Sequence, residues 1–256
     1  PHLERAQELR PPHASLMSKL GATYQKLGRG EEARRFREEA ASLSPTQAKL
    51  DEATRLFIKG QLRESEKLAQ ELVRENPHDV NAALLLARLA MMANCFDDAR
   101  EFLERIIEKQ PRFIAAWHDL GTVLKELHCY EEAVSVLEDA LELEPNNALT
   151  HYYHGAALAM AARPAEAVKS YEKAVSIDPE LPGAHIGLGH VLKTVGDQEA
   201  GIAAYRRAIE LRPNFGETYY SLANLKTFRF TDQDTEVMSQ RLANESLPVE
   251  CRVHFA

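Results

Sequence analysis

What this chain has little of narrows its nature before any motif is read. Its 256 residues contain no apolar run near the roughly 18 that a membrane-spanning helix needs. Three cysteines do not make a disulfide framework in a chain of this length. Glycine and proline, 12 of each, are too sparse for a loop-rich or disordered protein. Positive charge is not in excess either. Lys and Arg number 31 against 39 Asp and Glu, a net charge of −8, whereas a generic binder of nucleic acid or anionic membrane is basic. No signal peptide or initiator Met opens the sequence, and a cytoplasmic protein with no nucleic-acid or membrane partner is expected. The fingerprints G-x-x-x-x-G-K-[ST], G-x-S-x-G and H-E-x-x-H are absent, so no catalytic residue, cofactor or metal is expected.

What is present is a period. Pro11, Pro45, Pro77, Pro111, Pro145, Pro179 and Pro213 are separated by 34, 32, 34, 34, 34 and 34 residues. Other residue types keep the same interval. Trp117, Leu120, Gly121, Ala133 and Ala140 are followed one period later by His151, His154, Gly155, Ala167 and Ala174, with Tyr171 between the alanines. The next copy carries His185, Leu188, Gly189, Gly201 and Ala208, with Tyr205 between. An earlier copy carries Met17, Leu20, Gly21, Tyr24, Ala33 and Ala40. Small residues at fixed slots let two helices approach closely, at a cost of about 1 kcal/mol for a glycine inside a helix. Each periodic proline ends a helix, because it cannot continue the hydrogen-bond ladder. Short turns fall at 28–32, 60–64, 162–166 and 196–200, and Pro164 sits where a first helical position is expected.

This pattern resembles the tetratricopeptide repeat over almost the whole chain. The expected fold is therefore all-α, a superhelical solenoid of antiparallel helix hairpins without strands. Six repeats are expected at 14–47, 48–79, 80–113, 114–147, 148–181 and 182–215. Residues 1–13 would end a partial repeat, and 216–256 would form a partial repeat with a C-terminal cap or junction. The copy ending at Pro77 is two residues short and has Lys49, Ala53 and Ser65 in its slots, so altered local stacking is expected there.

Several groups imitate chemistry. Gly187-Leu188-Gly189 resembles part of a dinucleotide fingerprint but lies in a repeat helix after no strand, which points to packing. His151 and His154, at i and i+3, have a spacing that would suit a metal, yet both fall in packing slots of the repeat. Cys95 and Cys129 are one period apart, hence about 10 Å in a stack of helices, too far for a disulfide. Free thiols are expected. Asn244-Glu245-Ser246 matches a glycosylation sequon in a chain without a secretion signal.

Resemblance to the family implies a concave groove lined by the first helix of each repeat. Its groove slots here hold Arg88, His118, Thr122, Lys125, Tyr152, His190, Lys193, Tyr220 and Asn224. The cations would receive carboxylates, and the tyrosines offer an apolar face with a polar tip. A scaffold binding a protein or peptide with acidic or aromatic residues is the expected function, and self-association is compatible with it. The family's clamp for acidic chaperone tails needs a Lys and Asn at i, i+4, which these slots lack. The asparagine ladder of the family's glycosyltransferase superhelix is lacking too, its nearest slots holding Leu85, Asp119, Tyr153 and Gly187.

The period fails at Lys226. Tyr219, Leu222 and Ala223 begin another copy, but no second helix with paired alanines follows. Phe228, Phe230, Val237, Met238 and Leu242 are available to cover the last apolar face. Leu222 to Lys226 with Phe228-Arg229-Phe230, an acidic stretch and Arg252 to Ala256 also resembles the junction in bacterial proteins that join tetratricopeptide arrays to a sulfotransferase domain. That resemblance implies a catalytic domain beyond residue 256, served by the donor 3′-phosphoadenosine 5′-phosphosulfate. This stretch would then be the recognition arm of a larger enzyme, without catalysis of its own.

Overall fold

A computed structural model describes residues 14–225, 228–244 and 246–255. Among them every regular element is helical and no strand occurs. No described helix is long and apolar enough to cross a membrane. The chain divides into two compact units, 1–116 and 117–256.

The first unit holds α1 (Ala14–Lys26), α2 (Gly30–Leu43), α3 (Pro45–Ile58), α4 (Leu62–Glu75), α5 (Val80–Met92) and α6 (Phe96–Lys109). Its helices pair as α1 with α2, α3 with α4 and α5 with α6. Met17, Leu20, Tyr24 and Ala33 are buried together, and a second cluster joins Ala53 and Ala69 to Leu85, Leu86 and Leu89. The short copy is explained here. Only Ser44 separates α2 from α3, where four residues separate α4 from α5, while α3 is one residue longer than α5. Pro45 therefore opens α3, and the Ser44 side chain accepts from Gln47 N. Ser65, in a slot that alanine fills elsewhere, stays buried by donating its hydroxyl to Ala53 O at 2.8 Å.

α7 (Ile114–Glu126) runs across the boundary. The second unit continues with α8 (Tyr130–Leu143), α9 (Ala148–Met160), α10 (Pro164–Ile177), α11 (Pro182–Val195), α12 (Gln198–Leu211), α13 (Gly216–Ala223), α14 (Asp232–Leu242) and α15 (Val249–Arg252), and closes with a 3₁₀ turn at Val253–Phe255. Here the glycine slots act as the spacing requires. A Cβ on Gly121 would lie 2.8 Å from Leu137, and one on Gly189 would lie 2.7 Å from Tyr205. Ala133, Ala140, Ala167, Ala174 and Ala208 are fully buried. Leucine at Ala133 or Ala167 is expected to destabilise by about 1–3 kcal/mol through overpacking. Denaturant midpoints unchanged by both substitutions would contradict this register.

Every hairpin turn uses one device. Gly28, Gly60, Asn94, His128, Ala162 and Gly196 all have positive φ, between 57° and 94°. The residue after each donates its N–H five residues back: Arg29 to Tyr24, Gln61 to Leu56, Cys95 to Ala90, Cys129 to Leu124, Arg163 to Leu158 and Asp197 to Leu192, all at 2.8–2.9 Å. This satisfies a carbonyl at the end of each first helix. Ala162, at φ 57°, bears the Cβ penalty that glycine avoids. Ala162→Gly is therefore expected to raise stability by about 0.5 kcal/mol after the entropic cost of glycine, read as a higher urea midpoint. Second helices end two residues before each periodic proline from Pro45 to Pro213, as expected from the restriction on the preceding residue.

The end of the second unit departs from the repeat. Phe228 and Phe230 pack on Tyr205, Leu222 and Leu225, as a cap requires. Val237 and Met238 are half-buried, but Leu242 remains 41% exposed and covers little. The segment after α14 contributes more. Phe255 is buried against Tyr219 at 5.2 Å between ring centroids, and His254 faces Tyr220 at 5.6 Å. A Cβ on Gly216 would lie 2.5 Å from Cys251 O, so only glycine admits the main chain there. Elsewhere the residue equivalent to Tyr220 touches the first helix of the following repeat: His118 meets Thr150 and Tyr153, and Tyr152 meets Gly183. The terminal segment thus stands in for the first helix of a repeat that is not formed.

Candidate functional site

Residues at i, i+4 and i+7 share one stripe of a helix. In the second unit the stripes on successive first helices are His118, Thr122 and Lys125 on α7; Tyr152, Ala156 and Ala159 on α9; Ile186, His190 and Lys193 on α11; and Tyr220 with Asn224 at the end of α13. α9 and α11 lie side by side, and the Tyr152 ring comes within 3.2 Å of where a Cβ on Gly183 would be. The Tyr152 ring also stands edge-on to Tyr153 at 5.2 Å and tilted to Tyr171 at 6.1 Å, which fixes its direction.

The residues picked from the sequence differ in their availability. His118 is buried, 7% exposed; its Nε2 is 2.7 Å from Thr150 Oγ1 and its ring stacks on Tyr153 at 4.8 Å. It joins α7 to α9 instead of offering itself to a ligand. Burial pulls its pKa down to about 4, against a smaller opposing pull from Glu144. Thr122 donates its hydroxyl to His118 O at 3.0 Å. Lys125 and Tyr152 are half-buried, while His190, Lys193, Tyr220 and Asn224 are exposed. His190 Nδ1 lies 2.8 Å from Tyr205 Oη, and although the residue as a whole is exposed, desolvation of its ring against that side chain holds its pKa below the ordinary value. Arg88 is exposed on α5, in the first unit.

The histidine pair at 151 and 154 is used in packing. His151 Nε2 lies 2.9 Å from Pro145 O, and His185, one period on, repeats this with Pro179 O at 2.9 Å. A carbonyl only accepts, so both Nε2 atoms carry the proton. His154 Nδ1 lies 2.9 Å from Ser170 Oγ. No group of three or more His, Cys, Asp or Glu side chains among the described residues would hold a metal. Gly187 and Gly189 likewise serve packing: a Cβ on Gly187 would lie 2.4 Å from Tyr171 Cζ. Cys95, Cys129 and Cys251 are free thiols. Sequence reasoning missed the seat that Gly183 makes for Tyr152; the signal was a glycine one residue past Pro182.

Hairpins stacked at this interval define an all-α repeat scaffold. Tetratricopeptide repeat models match residues 56–124, 118–182 and 182–215, together more than half of the chain, which belongs to this family. Over 101 residues, 39% of its length, the chain is 32% identical to the human protein O-mannosyl-transferase TMTC1, and it spans 12% of that protein. It shares its fold with TTC0263, a thermophilic TPR protein of Thermus thermophilus, at a TM-score of 0.61 and 23% identity over 68% of this chain and 95% of that one. A second fold neighbour is YrrB, described as a TPR protein with an unusual peptide-binding site, at a TM-score of 0.52 and 17% identity over 72% and 96% of the chains.

Proposed function

We propose that this chain is an interaction scaffold whose first-helix face in the second unit binds an extended segment of another protein. One observation carries the reading. Stripes on successive first helices present Tyr152, held in direction by its neighbours, on the helix that lies between those carrying Lys125 and Lys193. A preformed surface of this kind spends little free energy on ordering when it binds. Arg88 is proposed to serve the equivalent face of the first unit. The YrrB description is consistent with peptide binding on this fold. A random peptide array probed with the wild-type protein should yield ligands that are lost with Tyr152→Ala or Lys193→Glu. Ligands retained at full strength by both variants would place binding elsewhere.

A second reading keeps the stretch from Leu222 to Phe230 as the junction to a sulfotransferase domain, with this array as its recognition arm. The wording of that stretch favours it, although Phe228 and Phe230 are used internally. No phosphate-cradling loop occurs in these residues, so calorimetric titration of 3′-phosphoadenosine 5′-phosphosulfate is expected to give no heat of binding. A micromolar isotherm would put the donor site within this chain. The full gene decides whether a catalytic domain follows.

A further inference from the structure

The proposed binding face has a polarity that specifies its ligand more closely. Along the line from α7 to α11 the last stripe residues are Lys125, Ala159 and Lys193. The stripes contain no acid, in a chain with net charge −8. Acids border them instead: Glu126 follows Lys125, and Glu217 lies near His190. Between the two lysines the surface is apolar and low. Ala156 and Ala159 project only a methyl each, Met160 beside them is 52% exposed, and Tyr152, two turns nearer the start of α9, lies over Gly183. A methionine left that exposed next to small side chains forms an adaptable apolar seat.

We infer that this face takes a protein segment with an apolar centre and a carboxylate toward each end. The inference rests on the binding face proposed above and names its ligand. Lys125 and Lys193 are two repeats apart, which at ordinary interhelical distances is about 20 Å. An extended chain covers about 3.3 Å per residue, so the carboxylates stand about six residues apart. A shorter spacing leaves one lysine unused, and basic ends meet both lysines with like charge. The ligand is thus an acidic segment broken by an apolar stretch of set length, distinct from a uniformly acidic tail, whose centre would desolvate against Tyr152 and Met160.

Fluorescence anisotropy with labelled, end-capped peptides tests this on the full chain. The probe is a peptide of about seven residues with aspartates at its first and last positions and Leu-Ala-Phe at its centre. Three comparison peptides have lysine ends, a glycine-serine centre, or aspartates brought together at one end. The matched probe is expected to bind at least about tenfold more tightly than each comparison, with an affinity that falls as salt rises. Lys125→Ala and Lys193→Ala should each remove about tenfold, and Tyr152→Ala, which removes the aromatic border of the apolar seat, should weaken binding. Equal affinity for the lysine-ended peptide, or no effect of either lysine variant, overturns the inference. The outcomes are separable. Tyr152-dependent binding of a comparison peptide in preference to the matched probe leaves the face and removes this ligand chemistry. Failure of all four peptides overturns the inference too, and the random array then shows whether the face binds anything through Tyr152.

Discussion

Exchanging Tyr171 for alanine is expected to lower the stability of the second unit by about 3–5 kcal/mol. Tyr171 is 4% exposed and its ring is a wedge with a glycine on either side. A Cβ on Gly155 would come within 3.0 Å of the ring, and one on Gly187 within 2.4 Å. Neither glycine has a side chain to move into the space that alanine would leave, so the cavity term is added to the lost apolar burial. Tyr171→Phe keeps the wedge and should change stability by no more than about 1 kcal/mol. Gly187→Ala reaches the same contact from the other side. The methyl meets a ring that cannot retreat, and a cost of about 1–3 kcal/mol is expected despite the better helix propensity of alanine. Combining Gly187→Ala with Tyr171→Leu should cost less than the sum of the two, because they share one contact. Urea unfolding followed by circular dichroism reads all of these. A Tyr171→Ala midpoint equal to wild type would mean that α9, α10 and α11 do not meet at this ring.

Acidification from pH 7 to pH 5 is expected to remove about 2 kcal/mol from the second unit through His118 alone. The imidazole titrates at about 4 in the folded state and near 6.5 when exposed in the unfolded chain. The folded state therefore binds fewer protons. The stability that the neutral ring contributes is fully present above about pH 6.5 and is lost as the pH falls toward 4. His154 and His190 are shifted in the same direction by burial, so they add to the loss. Each of the three is tied to a hydroxyl on another helix, Thr150, Ser170 and Tyr205 respectively. His118→Gln keeps a polar group of similar reach and should flatten the pH dependence between 7 and 5. A slope unchanged by that substitution would mean that His118 is not what acid attacks.

Much of this was readable before any coordinates, because a repeat writes the same physical demand several times. Gly121, Gly155 and Gly189 announced close helix crossings, and each faces a large side chain of its partner helix. Less visible were features that break residue identity while keeping geometry. Gly28, Asn94, His128 and Ala162 share one left-handed turn, yet no single residue type marks it. His118 stood in a groove slot by position, but Thr150 and Tyr153 on the next repeat bury it. Periodicity along one helix does not report what the neighbouring helix brings. The terminal segment was hidden for a similar reason: Gly216 meets Cys251 across 35 residues with no periodic echo.

One carboxylate in that terminal region does two jobs. Asp234 closes the capping box of α14 with Thr231, and it also receives the Arg206 guanidinium from α12, with Nη2 to Oδ2 at 2.7 Å. The pair draws the Asp234 carboxyl well below the usual range. α14 has 11 residues and buries none of them fully, too short to persist alone in water. Its start is thus set by a side chain that is in place only once the preceding hairpin has formed. Order in time follows from order in space: α14 waits for α12 during folding and is the first to let go when the hairpin before it loosens.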